Sequence, residues 1–191
     1  MSIRTKGFAL WFTGLPCSGK TTLSNAIEKE LAALNLKLEH LDGDVIRQKL
    51  SPELGFSQKD RETQVNRVAF EASLLVRNGI ITLVSVISPY RALREKARKE
   101  IPSFVEIYVR CPLSVCEKRD VKGMYKLARE GKIKNFTGVS DIYEEPLAPE
   151  ITVNTDLADV GSCVEKILGF LEYKELIKNN SGSLSRRPVK A

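Results

Sequence analysis

Five consecutive apolar residues, Phe8, Ala9, Leu10, Trp11 and Phe12, run through Thr13 into Gly14, Leu15, Pro16, Cys17, Ser18, Gly19, Lys20 and Thr21. That octet fits GxxxxGK[ST]. Its backbone N–H groups converge on phosphate oxygens when a strand delivers the loop and a helix carries it away. Both flanks are present. The apolar run reads as a buried strand, and residues 21–34 place Leu23, Ile27 and Leu31 at helical spacing. Lys20 is then set to reach the β- and γ-phosphates of a nucleotide, and the Thr21 hydroxyl to ligate magnesium.

The rest of the chain alternates in the same way. Residues 36–41, 80–87, 104–109 and 151–153 read as further strands, and 80–87 is nearly all apolar, as a parallel strand covered on both faces must be. Helices are expected at 58–77 behind an N-cap at Ser57, and at 90–100, 113–119 and 160–176. The alternation predicts an α/β fold, a three-layer doubly wound sheet, mostly parallel, in one domain spanning residues 1–178. Residues 122–138 break the pattern with Lys122, Lys126, Arg129, Lys132 and Lys134 against Glu130 alone. They read as a mobile basic insertion rather than core. Residues 179–191 are polar, Ser-rich and basic, and are expected to be a disordered tail.

The 30 Lys and Arg exceed the 24 Asp and Glu by six, which raises the question of a polyanionic partner. Position answers it. Residues 1–27 hold three cations and no acid, residues 181–191 hold three more, and the long middle is neutral. Neither nucleic acid nor a membrane is an expected partner. The N-terminal apolar run is too short for a membrane span or a signal peptide. Four scattered cysteines and one histidine, His40, do not make a zinc set, so free thiols in a cytoplasmic protein are expected.

Chemistry then concentrates at strand ends, where open α/β sheets hold their ligands. The second strand ends in Asp42, Gly43 and Asp44, with Arg47 close behind. Phosphoryl transfer needs a carboxylate to take the nucleophile's proton and cations to hold phosphates in line. Asp60, Arg61, Glu62, Gln64, Asn66 and Arg67 crowd the next helix start, where helical period puts Arg61 and Gln64 on one face, with Arg47 opposite. Ile87 and Ser88 close the most apolar strand on the same rim.

Together GLPCSGKT, LDGDVIR, LGFS with DRE, ISPYR, VCEKRDVKGMYKLAR, and IKNFTG with YEEP resemble the adenylylsulfate (APS) kinase family, from about Phe8 to Leu176. The resemblance implies an enzyme that transfers the γ-phosphate of ATP to the 3′-hydroxyl of adenosine 5′-phosphosulfate in sulfate activation. It implies ATP and Mg2+ as cofactors and a homodimer as the assembly. Asp42 is then the base, with Lys20 on the phosphates. ATP contacts fall to residues 14–21 with Thr22, joined by Arg119 and the loop at 155–158 near the adenine. Thr21 and Asp44 hold the metal. Asp44, Arg47, Arg61 and Gln64 meet the substrate, Phe56 and Phe136 sandwich its adenine, and Ile87 and Ser88 line that pocket. Lys122 belongs to a lid.

Ser88 also matches a serine described in the family as a phosphorylated intermediate. With no base beside it, direct in-line transfer is the preferred reading. The chain departs from the family pattern at Gln64 and Asn66, where Asn and Arg are usual, and at Leu93, where an acid is common. Two rival readings stay open from sequence: a P-loop kinase for another hydroxyl-bearing metabolite, and a nucleotide-dependent regulator or RNA-binding module.

Overall fold

Burial on both faces selects the central strands. The computed structural model describes residues 6–178. Every residue of β1 (Ala9–Thr13) and of β3 (Ile81–Ser85) is buried. A strand flanked by other strands and covered by helices above and below has no wet face, so it shows no apolar/polar alternation. With β2 (Leu38–Asp42), β4 (Phe104–Arg110) and β5 (Ile151–Asn154) they form one parallel sheet of order β2-β3-β1-β4-β5.

Two apolar layers fix the sheet. On one face Leu10, Phe12, Leu83 and Ile107 meet Leu23, Ile27 and Leu31 of α1 (Lys20–Ala33) and Ile167 and Leu171 of α7 (Val160–Tyr173). On the other, Trp11, Val84 and Phe104 meet Val68 and Ala72 of α3 (Gln58–Arg77) and Leu93 and Ala97 of α4 (Arg91–Glu100). The three-layer doubly wound expectation holds. Helix α3 begins and ends as the sequence predicts, and a reciprocal capping box of Ser57 and Asp60 fixes its start. Helix α7 stops at Tyr173, three residues short of the expected end.

The loop between β1 and α1 requires glycine at its start. Gly14 has φ +154°, and a Cβ there would lie 2.5 Å from Val109 O.

Two helices escape the sequence reading. Helix α2 (Gly43–Leu50) starts where Asp42-Gly43 resembles a turn, and Asp42 is its N-cap. Helix α6 (Met124–Arg129) follows α5 (Leu113–Arg119), and the Asp120 carboxylate accepts from Tyr125 N and Lys126 N, both at 3.0 Å. The expectation that 122–138 is an insertion without core is therefore corrected. Tyr125, Ala128 and Phe136 pack with Cys111 and Cys116 in a third apolar cluster, the two rings meeting edge to face at 5.0 Å. The tail expected at 179–191 lies outside the described residues.

Candidate active site

Three element ends meet at the phosphate loop. Asp42, the last residue of β2, spends one carboxylate oxygen on capping α2, with Oδ1 accepting from Asp44 N at 3.0 Å and Val45 N at 3.3 Å. The other oxygen, Oδ2, accepts from Thr21 Oγ1 at 2.9 Å. The carboxylate is therefore aimed at the first turn of α1 by the start of its own helix.

Lys20 is 9% exposed and donates from Nζ to Gly14 O at 2.9 Å and Leu15 O at 2.6 Å. Burial, which penalises the ammonium, pulls its pKa from 10.5 to about 8. A triphosphate at the loop would favour the charged form further. On the far side of the loop, Arg119 donates to Thr155 O at 2.6 Å and to Thr155 Oγ1 at 3.2 Å, while Thr155 Oγ1 donates to Ser18 O at 2.7 Å. Arg119 and the loop after β5 thus brace the phosphate loop.

Opposite Arg119, a cleft of about 120 Å³ is lined by Thr21, Asp42, Arg47, Phe56, Arg61 and Gln64, among others. Arg47 and Arg61 both stand over the Phe56 ring, at 5.1 and 5.8 Å from its centroid. Arg47 Nη1 donates to Leu54 O and Gly55 O, and Arg61 Nη2 donates to Asn135 O. Burial lowers the pKa of both guanidiniums, whose partners are mostly neutral carbonyls. Gln64 is buried in the same wall, and neither amide atom has a hydrogen-bond partner among the described residues. A buried amide without partners is expensive unless a ligand satisfies it.

A larger cavity, about 740 Å³, lies between the end of β4 and residues 138–145. It contains none of the phosphate-loop cations, so size alone does not locate the chemistry.

Three of the expected site residues make contacts of their own. Ser88, which matches the family's phosphorylated serine, is 2% exposed. It accepts from Trp11 Nε1 at 3.0 Å and donates to Thr13 Oγ1 at 3.1 Å, with no base beside it. Its backbone holds φ +39°, in the left-handed region. Phe136 packs on Tyr125, outside the cleft, so only Phe56 of the expected aromatic pair faces it. For the metal, the carboxylate beside Thr21 is Asp42. Asp44 Oδ2 instead lies 2.5 Å from Lys122 Nζ, an exposed pair that holds little by itself.

Asp141 was not anticipated. It lies 3.4 Å from Arg61 Nε and accepts from Tyr90 Oη at 2.7 Å. Burial and this carboxylate push the Tyr90 phenol up to about 12. No local motif marks Asp141, since its partners lie 80 and 51 positions earlier in the chain.

Among the described residues no group of three or more His, Cys, Asp and Glu side chains forms a metal cage. That donor set still suits Mg2+, which keeps several waters and binds through one or two carboxylates plus substrate phosphates. Thr21, Asp42 and Asp44 supply such donors.

A family model described as adenylylsulphate kinase matches residues 6–154. An adenylyl-sulfate kinase of Rippkaea orientalis is 51% identical over 170 residues, covering 89% of this chain and 94% of that one. The Mycobacterium tuberculosis APS kinase CysC in complex with AMPPNP and APS is 36% identical with a TM-score of 0.84, covering 87% of this chain and 98% of that one. A hexameric APS kinase from Thiobacillus denitrificans is 30% identical with a TM-score of 0.70, covering 92% of this chain and 31% of that one.

Proposed function

Because this chain belongs to the adenylylsulphate kinase family, we propose that Asp42 is the base of its reaction and that the two nucleotides bind on opposite sides of the phosphate loop. The protein is an ATP-dependent kinase that transfers the γ-phosphate of ATP to the 3′-hydroxyl of adenosine 5′-phosphosulfate, giving 3′-phosphoadenosine 5′-phosphosulfate and ADP. One observation carries the residue assignment. The Asp42 carboxylate, fixed by its helix cap, opens into the cleft that also holds Arg47, Arg61 and the unpartnered Gln64 amide.

ATP lies along residues 14–22, its adenine toward Arg119 and the loop at 155–158. Lys20 leaves the Gly14 and Leu15 carbonyls for the β- and γ-phosphates, whose anionic oxygens are stronger partners for its ammonium. Thr21 and Asp44 would hold Mg2+, which would supply neutralisation of the phosphate oxygens and leave Asp42 Oδ2 for the acceptor hydroxyl. On the acceptor side Arg47 and Arg61 take the phosphosulfate, exchanging backbone carbonyls for anionic oxygens, a stronger class of hydrogen bond. Phe56 stacks on the adenine and Gln64 hydrogen-bonds the ligand. Asp42 Oδ2 accepts the proton of the 3′-hydroxyl as that oxygen attacks the γ-phosphorus in line.

Arg61 also contacts Asn135 and Asp141, so filling the acceptor cleft is coupled to the segment that follows α6. Lys122, just before α6, is paired with Asp44 and ties that helix to the other wall. This is the physical basis for treating it as a lid that excludes water. The assembly proposed is a homodimer in the cytoplasm, which the free state of all four cysteines suits.

The test is ADP release dependent on both APS and magnesium, with the 3′-phosphorylated product identified and AMP, shikimate and nucleosides as rival acceptors. Asp42→Ala lowers turnover by about 10² or more. Turnover of a rival acceptor in preference to APS refutes the substrate, and near-normal turnover by Asp42→Ala refutes the base.

A further inference from the structure

The sequence's one histidine, His40, has no part in the reaction above, yet both ring nitrogens are engaged. Nδ1 lies 3.1 Å from Glu28 Oε2 of α1, and Nε2 lies 2.6 Å from Ser85 Oγ of β3. The Ser85 hydroxyl is in turn 3.0 Å from Ser24 Oγ, and Ser24 Oγ donates to Thr21 O at 3.1 Å. The row therefore leaves α1 at Glu28, crosses β2 and β3, and returns to α1 at the residue whose hydroxyl meets Asp42.

Its surroundings make the row unusual. Ser24 and Ser85 are buried, and the layer between sheet and helix is otherwise built from Leu, Ile, Val and Phe. Buried polar groups in such a layer cost stability unless each finds a partner, and a fully partnered row fixes orientation more sharply than apolar contact does. Two of the anchored points touch the chemistry directly. Ser85 is the register partner of Asp42 across the β2–β3 ladder, and both line the acceptor cleft with Thr21. His40 stands two residues before Asp42 on the same face of β2.

We propose that His40, oriented by Glu28, is a positioning residue for phosphoryl transfer: through Ser85 and Ser24 it locks the first turn of α1 against the ends of β2 and β3. The lock holds the Thr21 hydroxyl and the Asp42 carboxylate at their 2.9 Å separation, and with them the site for the nucleotide-bound divalent cation. The proposal rests on Asp42 and Thr21 acting as assigned above. Groups that orient a metal's ligands without touching the metal typically change its affinity or the rate by about 10- to 100-fold when removed.

The experiment compares wild type with His40→Ala, His40→Gln and Ser85→Ala in four readouts: kcat, KM for APS, melting temperature, and affinity for Mn2+ in the presence of ADP by electron paramagnetic resonance. His40→Ala and Ser85→Ala should each lower kcat and Mn2+ affinity by about 10-fold while KM for APS stays within about twofold. His40→Gln, whose amide can both donate and accept, should recover most of the loss. The proposal is overturned if His40→Ala keeps both kcat and Mn2+ affinity. It is also overturned if the defect appears only in KM for APS, or if the losses follow the melting temperature and Gln does not rescue them. Mn2+ affinity with ADP involves no acceptor. Failure of the APS assignment therefore shows in the wild type's choice of acceptor, and failure of this proposal in the metal titration.

Discussion

Lys20→Met offers a test of how the phosphate loop is held before nucleotide binds. Methionine keeps the length of the side chain and removes the charge. Holding an ammonium in a site where its pKa falls from 10.5 to about 8 costs about 3 kcal/mol, at ~1.4 kcal/mol per unit. Against this, Met gives up the donors to Gly14 O and Leu15 O, about 1 kcal/mol each. The variant should therefore be about 1 kcal/mol more stable than wild type at pH 7, a rise of roughly 2–4 °C in melting temperature for a chain of this size. Its turnover should be lost.

The sign then reverses with pH. Below pH 8 the lysine is charged in both folded and unfolded protein, and the cost is constant. Between pH 8 and 10.5 the folded protein releases its proton while the unfolded chain keeps it, so wild-type stability rises with pH relative to the variant. The gain amounts to about 3 kcal/mol, leaving Met about 2 kcal/mol the less stable at the alkaline end. Burial also raises the phenols of Tyr108, Tyr125 and Tyr143, but these occur in both proteins and cancel in the difference. Urea unfolding of both proteins from pH 7 to 10.5 measures the difference. A flat difference across that range would show that Lys20 is not desolvated and refute the reasoning.

Two further outcomes follow from groups the structure places unexpectedly. Ser88→Ala should keep turnover within about threefold, because the hydroxyl only links Trp11 to Thr13. Mass spectrometry after incubation of wild type with ATP alone should find no phosphoserine at position 88, and a stoichiometric phosphoserine there would establish a covalent route. Gln64→Leu should stabilise the unliganded protein by about 1 kcal/mol, by removing two unpartnered polar atoms, and raise KM for APS by about tenfold. A destabilised variant with unchanged KM would mean the amide has a partner in the fold rather than in the ligand.

Sequence alone revealed what short-range pattern encodes. The apolar run at 8–12 and the glycines at 14 and 19 place a strand, loop and helix, and Ser57 with Asp60 places the start of α3. What it concealed depends on partners distant in the chain. Trp11 meets Ser88 across 77 positions and Thr13 meets Tyr143 across 130, so nothing local announces that Ser88 is locked. The basic run at 122–138 misled for a related reason. Lys122, Arg129 and Lys132 pair with Asp44, Glu117 and Glu130, and the aromatic residues Tyr125 and Phe136 face inward. A count of charges cannot see such pairing.

The Asp42 carboxylate meets both its own helix and the Thr21 hydroxyl of α1, and a pair of variants can separate what it does. Its Oδ1 is a helix cap and its Oδ2 faces the Thr21 hydroxyl, so one side chain has a structural end and a chemical end. Asparagine caps helices about as well as aspartate, whereas alanine does not. Asp42→Asn should therefore keep the wild-type melting temperature within about 2 °C, and Asp42→Ala should lose about 1 kcal/mol of stability, or roughly 2–4 °C. Both should lose turnover to a similar depth, since neither offers a carboxylate to the 3′-hydroxyl. If Asn restored turnover, the carboxylate would matter only as a cap, and the base would have to be sought elsewhere in the cleft, with Asp44 the nearest alternative.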